Sequence, residues 1–224
     1  LGFDTFTSAE YMKDENQKNP LGWTKDSVLT DEIIKCLDST EGPDYVYTIS
    51  TQGHGAYPEE QLIDDPEITV TGSATEAQNN QWEYYCNEIH EMDNFVKELT
   101  DALADYPEDV ILVMYGDHLP TMGLTVEDLK NKYLFQTQYV MWDNFGMEKK
   151  DVNLAAYQMA AEIMDRAGIH EGTIFRYHQA RRNTRNYQVD LETLQYDLLY
   201  GDRYSYKENG EIFERTKMHM GLYD

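Results

Sequence analysis

VILVMYGDH, residues 110–118, is the stretch on which the reading of this chain turns. A continuous apolar run, rich in branched residues and bounded by glycine, predicts a central strand covered on both faces. Gly116 lets the chain turn tightly after it. Asp117 and His118 are then delivered beyond the carboxyl end of the strand, where open α/β sheets bind their ligands. Aspartate offers a hard oxygen and histidine an imidazole, donors suited to Mn²⁺, Zn²⁺ or Mg²⁺. Two adjacent donors cannot complete a coordination sphere, so further ligands must come from elsewhere. The competing reading makes Asp117 a turn cap and His118 a solvated side chain.

Upstream of this stretch, Trp82, Tyr85, Cys86, Ile89, Met92, Val96, Leu99 and Leu103 recur at three- and four-residue steps. They predict an amphipathic helix over 79–106, ended by Pro107. Before that helix, YVYTIS at 45–50 is dense in aromatic and β-branched residues and reads as a strand. It leads into Thr51-Gln52-Gly53-His54-Gly55, the start of a long loop over 51–78. A histidine there could hold a substrate oxyanion or protonate a leaving group, if it is not simply a loop histidine. If the two strands are parallel neighbours, His54 and His118 converge.

Nearer the start, Val28, Leu29, Ile33, Ile34 and Leu37 predict a helix capped by Thr24 or Asp26 and ended by Gly42-Pro43. Downstream, a strand over 138–142 and a helix over 152–167 ended by Gly168 complete the pattern. Helices alternating with strands predict an α/β fold, a mostly parallel sheet flanked by helices.

Composition bounds the function. The chain has 224 residues, enough for one large α/β domain or two small ones, and 41% of them are apolar. With 18 Lys+Arg against 42 Asp+Glu the net charge is −24, which argues against nucleic acid as a partner and against unaided docking on an anionic membrane. An acidic surface is compatible with recruiting a divalent cation. No apolar run approaches the roughly 20 residues of a membrane span, and the first residues do not read as a signal peptide. Cys36 and Cys86 do not make a disulfide framework, and Cys86 reads as a free buried thiol. Arg176, Arg181, Arg182 and Arg185 could bind an anion, but neutralising the protein's own acids is the favoured reading. His170, His178 and His219 have no ligand spacing, and His90 reads as structural. The absence of G-x-S-x-G, P-loop and G-x-G-x-x-G patterns argues against acyl transfer, kinase and dinucleotide chemistry.

Gly116-Asp117-His118 after VILVMY resembles the metal-binding signature of the lipoteichoic acid synthase-like sulfatases, in the alkaline phosphatase superfamily. Tyr85, Asp93 and Phe95, spaced Y-x₇-D-x-F, resemble that family's preceding helix. TISTQGHGAYP at 48–58 is similar to its strand-then-histidine segment, and Leu1-Gly2-Phe3-Asp4 followed by Phe6 to its L-G-F-D-x-F segment. LQYDLLYGDRY at 194–204 with Met218-His219-Met220-Gly221 resembles a clostridial-type branch. The resemblance covers essentially the whole chain and implies an alkaline phosphatase/sulfatase-like fold, here without its N-terminal part. It implies transfer or hydrolysis at a phosphate or sulfate ester, with Asp117 and His118 as metal ligands and His54 on the phosphoryl group or leaving oxygen. Mn²⁺ is the expected ion, with Mg²⁺, Zn²⁺ and Ca²⁺ as alternatives. In synthases of this kind the donor is phosphatidylglycerol and the acceptor a teichoic acid polymer. The nucleophile and an acidic ligand precede the L-G-F-D segment in the family. This chain is therefore expected to be the C-terminal part of a membrane-anchored domain on the outer face of a Gram-positive cell, inactive alone and prone to self-association. Related alternatives are a phosphodiesterase, a phosphoethanolamine transferase or a true sulfatase. A non-catalytic domain binding cell-wall glycan or protein is the alternative from another class.

Overall fold

Thr75 is extended, and its side chain accepts a hydrogen bond from the Gln78 backbone N–H at 3.1 Å in the computed structural model, which describes residues 2–12 and 17–205. Leu1 and Met218-His219-Met220-Gly221 lie outside the described residues. The chain divides into two units, Leu1–Phe145 and Gly146–Asp224.

In the first unit, the Thr75 cap satisfies an otherwise orphaned N–H and starts the long helix at Glu76 rather than Asn79. The shorter helix, α1, is Val28–Leu37, and the longer, α2, is Glu76–Ala104, ending before Pro107. Leu29 of α1 packs with Phe95, Leu99 and Leu103 of α2, and Leu112 and Trp142 close over them. Toward its N-terminus α2 behaves differently from its apolar stripe. Glu83, Asn87 and Glu88 are buried there, while Trp82, Tyr85, Cys86 and Ile89 are only half-buried. The reason is polar: Asn87 donates to the Ile68 carbonyl at 2.8 Å and accepts from its N–H at 3.1 Å. Glu83 accepts from the Val70 N–H at 3.1 Å and from Gln61 at 3.2 Å. These side chains satisfy the backbone of the long loop, which would otherwise cover α2 with unpaired groups.

Strand β1, Ile111–Tyr115, pairs with β2, Tyr139–Asp143, in register from Ile111 opposite Asp143 to Tyr115 opposite Tyr139. The pair is antiparallel, not the parallel arrangement expected for these strands. A parallel return needs a crossover, usually a helix, whereas the connection here holds only a short 3₁₀ turn at Val126–Asp128 and brings the chain back as a wide hairpin. Nor is β1 covered on both faces; the side chains of 111–114 are half-buried and Tyr115 is exposed, with Leu112 turned to the helices. Residues 45–50, expected as a strand, join no ladder among the described residues. Helix α1 is as expected, though Ser27 occupies its N-cap without a side-chain bond and it ends at Asp38, before Gly42-Pro43.

In the second unit, α3 is Met159–Arg166, shorter than the helix expected over 152–167: residues 152–155 are not helical, Ala156–Gln158 form a 3₁₀ turn, and Gly168 follows at φ +74°. Two helices follow that the sequence reading did not propose, α4 at Thr173–Arg181 and α5 at Tyr187–Leu199. Tyr177, Tyr187, Leu191 and Leu194 form their core. Tyr177 OH donates to the Tyr187 carbonyl, and His178 Nδ1 lies 2.6 Å from the Tyr187 OH. Arg181 pairs with Asp190 at 3.3 Å and Arg182 with Glu162, so these arginines neutralise the protein's own buried acids. His170 lies 3.2 Å from Gln179, and in the first unit His90 lies 3.0 Å from Glu67. Cys36 and Cys86 are free and half-buried. Among the described residues, no helix is long and apolar enough to cross a membrane.

Candidate active site

The loop that carries His54 is held from below by buried polar groups. Asp26, 2% exposed, accepts from Ser50 Oγ at 2.5 Å and from the Thr51 N–H at 3.1 Å. Its own N–H donates to Gln52 Oε1 at 2.9 Å. Gln52, equally buried, donates through Nε2 to Glu91 of α2, which also pairs with Lys25 at 2.8 Å. Residues 50–52 are thereby joined to the start of α1 and to α2. Burial pushes the Asp26 carboxyl above its usual range, and the hydrogen bonds from Ser50, Thr51 and Gln52 only partly offset this. Gly53 passes so close to α2 that a Cβ there would stand 2.7 Å from Ile89 Cδ1. The absence of a side chain is what lets the loop lie flat against the helix.

A second anchor holds Trp23. Asn19 Oδ1 accepts from the N–H groups of Leu21 and Trp23 at 3.1 and 2.9 Å, and its Nδ2 donates to Tyr84 OH and Glu88, each at 3.1 Å. Burial raises the Glu88 carboxyl, with Asn19 pulling the other way. The Trp23 ring stacks on His54 with centroids 5.9 Å apart and 27° between planes.

His54 in turn meets His118 edge to face, centroids 5.6 Å apart. Each ring uses Nδ1 on a backbone carbonyl, His54 on Gly55 at 2.7 Å and His118 on Leu119 at 2.8 Å. A carbonyl only accepts, so each Nδ1 carries a proton, and in the neutral ring it is Nε2 that offers a lone pair. His118 Nε2 lies 3.7 Å from Asp117 Oδ1, and both side chains are exposed. An imidazole lone pair and a carboxylate oxygen brought this close suit a divalent cation. Among the described residues, no group of three or more His, Cys, Asp or Glu gathers to hold an ion. Directly before the pair, Tyr115 OH and Tyr47 OH lie 3.0 Å apart, and this bond pushes the Tyr115 phenol up to about 12.

The structure thus brings together His54, Asp117 and His118, the three residues proposed from sequence. It adds Trp23, Asn19, Asp26 and Gln52, of which the sequence reading singled out only Asp26, as a possible helix cap, and Gln52, in the loop before His54. None of these four belongs to a spacing pattern; the signal is the burial of Asn19, Asp26 and Gln52 and the stacking of Trp23 on His54, and both exist only in the folded chain.

Over 87% of its length this chain matches the structure of the Streptococcus pyogenes phosphoglycerol transferase GacH in complex with sn-glycerol-1-phosphate, with TM-score 0.63, 20% identity and 52% of that chain covered. The likeness shows the fold, which is alkaline phosphatase/sulfatase-like. A protein of Rhizobium meliloti (strain 1021) named for cyclic beta-1,2-glucan modification is 27% identical over 259 aligned residues. That alignment covers 95% of this chain and 40% of the relative, so the chain spans less than half the relative's length. Residues 1–169 match the Sulfatase family, leaving α4 and α5 beyond the match. With most of its length inside that match, and Asp117, His118 and His54 gathered at the end of β1, the chain belongs to the sulfatase family.

Proposed function

We propose that His54, Asp117 and His118 form part of the active site of a metal-dependent phosphoglycerol transferase or related sulfatase-type enzyme acting on phosphate or sulfate esters. The meeting of His54 with the Asp117–His118 pair carries this reading. Asp117 and His118 hold the divalent ion, Mn²⁺ first and Mg²⁺, Zn²⁺ or Ca²⁺ as alternatives. When bound, such an ion neutralises charge on the phosphoryl oxygens. His54, beside the pair, holds a phosphoryl oxygen or supplies a proton to the leaving oxygen. Trp23, Asp26 and Gln52 keep that imidazole in place.

The phosphoglycerol transferase named above supports glycerol phosphate as the group moved. The glucan-modifying relative supports a polysaccharide hydroxyl as the acceptor, alongside the teichoic acid polymer suggested by the family resemblance. Phosphatidylglycerol is then the donor, and the outer face of the cell membrane is the place of reaction.

The test is release of glycerol phosphate from phosphatidylglycerol by the natural full-length polypeptide, with Mn²⁺ content measured alongside. Asp117→Ala and His118→Ala should each lose bound Mn²⁺ and turnover. Wild-type metal content and turnover in both variants would overturn the proposal.

A further inference from the structure

A row of aromatic rings leads from the surface of α2 to the His54 loop. Trp82 and Tyr85 lie one helical turn apart on α2 and meet edge to face, centroids 5.9 Å apart. Tyr85 meets Tyr57 in the same way at 5.7 Å. Tyr57 in turn donates through its OH to the carbonyl of Gly53, the residue before His54, at 3.1 Å. The three rings belong to neither of the apolar cores described above, and each stays half-exposed. The chain after Tyr57 is held beside them, because Gln81 donates to the Tyr57 carbonyl at 3.2 Å and Asn80 to the Glu59 carbonyl at 2.7 Å. This keeps the exposed Glu59 and Glu60 close to the rings.

Charge is unevenly spread along the chain. Residues 1–145, the first unit, hold 29 Asp and Glu against seven Lys and no Arg. Lys25, close in sequence to Trp23, is already paired with Glu91 at 2.8 Å. A surface of this kind repels a polymer that bears a negative charge on every repeat. The donor differs, since its single phosphate is met by the cation proposed for Asp117 and His118. An uncharged sugar chain suits the same surface. Carboxylates only accept hydrogen bonds and sugar hydroxyls donate them, whereas a phosphodiester group has no proton to give. The C–H face of a sugar ring packs on an aromatic ring, while its hydroxyls stay in water.

We infer that Tyr57, Tyr85 and Trp82, with Glu59 and Glu60 beside them, hold an uncharged polysaccharide as the acceptor, and that a polyanionic polymer is not the acceptor. This rests on the transferase reading above and chooses between its two acceptors. Tyr57 follows His54 by three residues, a span of at most about 11 Å, so a sugar chain lying on the rings reaches the imidazole. In the transfer, the bond between phosphorus and the diacylglycerol oxygen breaks, and the oxygen of a sugar hydroxyl takes its place on phosphorus. The proton of that hydroxyl leaves with diacylglycerol, so no further reactant is needed.

Transfer assays on the natural full-length polypeptide test it, with phosphatidylglycerol as donor and either an uncharged glucose oligosaccharide or a glycerol phosphate oligomer as acceptor. The glucose oligosaccharide should be used at least about tenfold more efficiently in kcat/KM, and its KM should shift less than about twofold between low and high ionic strength. Trp82→Ala should raise that KM about tenfold with a smaller change in kcat, and Trp82→Phe, which keeps a ring, should recover most of the loss. Preference for the glycerol phosphate oligomer would overturn the inference and leave the transferase reading intact, as would an unchanged KM in Trp82→Ala. Absence of glycerol phosphate release from phosphatidylglycerol with either acceptor would overturn both.

Discussion

The imidazoles of His54 and His118 meet edge to face with centroids 5.6 Å apart, so the loop after residues 45–50 and the loop after β1 share one surface. Neither histidine reaches that position alone. His118 is placed by β1, and His54 by the Asp26–Gln52–Glu91 contacts beneath its loop and the Trp23 ring against it. The two then divide the work proposed for the site, and substitution can separate them.

In the natural full-length polypeptide, His54→Ala should lower turnover about 10²- to 10⁴-fold, the usual range for a group that handles a proton. Its Mn²⁺ affinity should stay within about twofold of wild type, because the role proposed for His54 is contact with the substrate and not with the ion. His118→Ala should weaken Mn²⁺ binding by more than about tenfold. Calorimetric titration and steady-state rates on the two variants check this, and equal loss of metal in both would contradict the division of roles.

Asp26→Ala removes the acceptor for Ser50 Oγ and the Thr51 N–H. Leaving these donors without a partner in a buried setting should cost about 1–3 kcal/mol in urea unfolding. The same variant should release the His54 loop, seen as loss of the Trp23–His54 contact in aromatic NMR spectra. A change in stability with no effect at His54 would show that the contacts serve the fold alone.

The pH dependence of stability has a definite sign. Burial raises the carboxyls of Asp26 and Glu88 above their ordinary values of 3.8 and 4.5. The folded chain therefore keeps these protons to higher pH than the unfolded chain. Their contribution to stability is fully present below the unfolded values and is lost as pH rises through the raised folded values. Asp26→Asn should abolish its share of this slope in urea titrations across that range. An unchanged slope would mean that the Asp26 carboxyl is not raised.

Leu103 is 1% exposed in the core between α1 and α2. Leu103→Ala should destabilise the first unit by about 2–5 kcal/mol, the range for a buried leucine whose cavity only partly closes. Ile49→Ala, at a site 69% exposed, should cost little. Chemical denaturation of both variants in the full-length polypeptide gives the comparison.

Arg182 is the partner of Glu162, which is 3% exposed. Arg182→Ala should cost about 3–5 kcal/mol because it leaves a buried charge without its counter-ion. Arg182→Lys should recover part of the loss, and a neutral effect of the alanine variant would show that Glu162 finds water or another donor.

Much of this was legible in the one-dimensional pattern. The helix from Glu76 to Ala104 follows from its apolar period, and Val28–Leu37 and the strand before Gly116 follow from theirs. His54, Asp117 and His118 were visible as chemistry-bearing residues directly after apolar segments. The direction of strand pairing was not visible, because it depends on what the connection between β1 and β2 can span, and this one lacks a crossover helix. Nor was the polar burial on α2, where Glu83 and Asn87 exist to satisfy a loop backbone that no periodicity describes. Helices α4 and α5 escaped for a related reason: their core is built from tyrosines whose hydroxyls find partners at Tyr187 and His178 only after folding.

By itself the sequence determined that Val28–Leu37 and most of Glu76–Ala104 would be helical, that the segments around β1 and β2 would be strands, and which side chains could bind a cation or a phosphoryl group. These are local properties, set by spacing, propensity and the donor atoms each residue carries. Only the tertiary structure decided that His54 and His118 face one another, that Asp26 and Gln52 hold the loop between them and the core, and that β1 runs against β2 with its other edge open. Those outcomes join residues far apart in the chain, and they are settled by packing and by the partners that buried polar groups find.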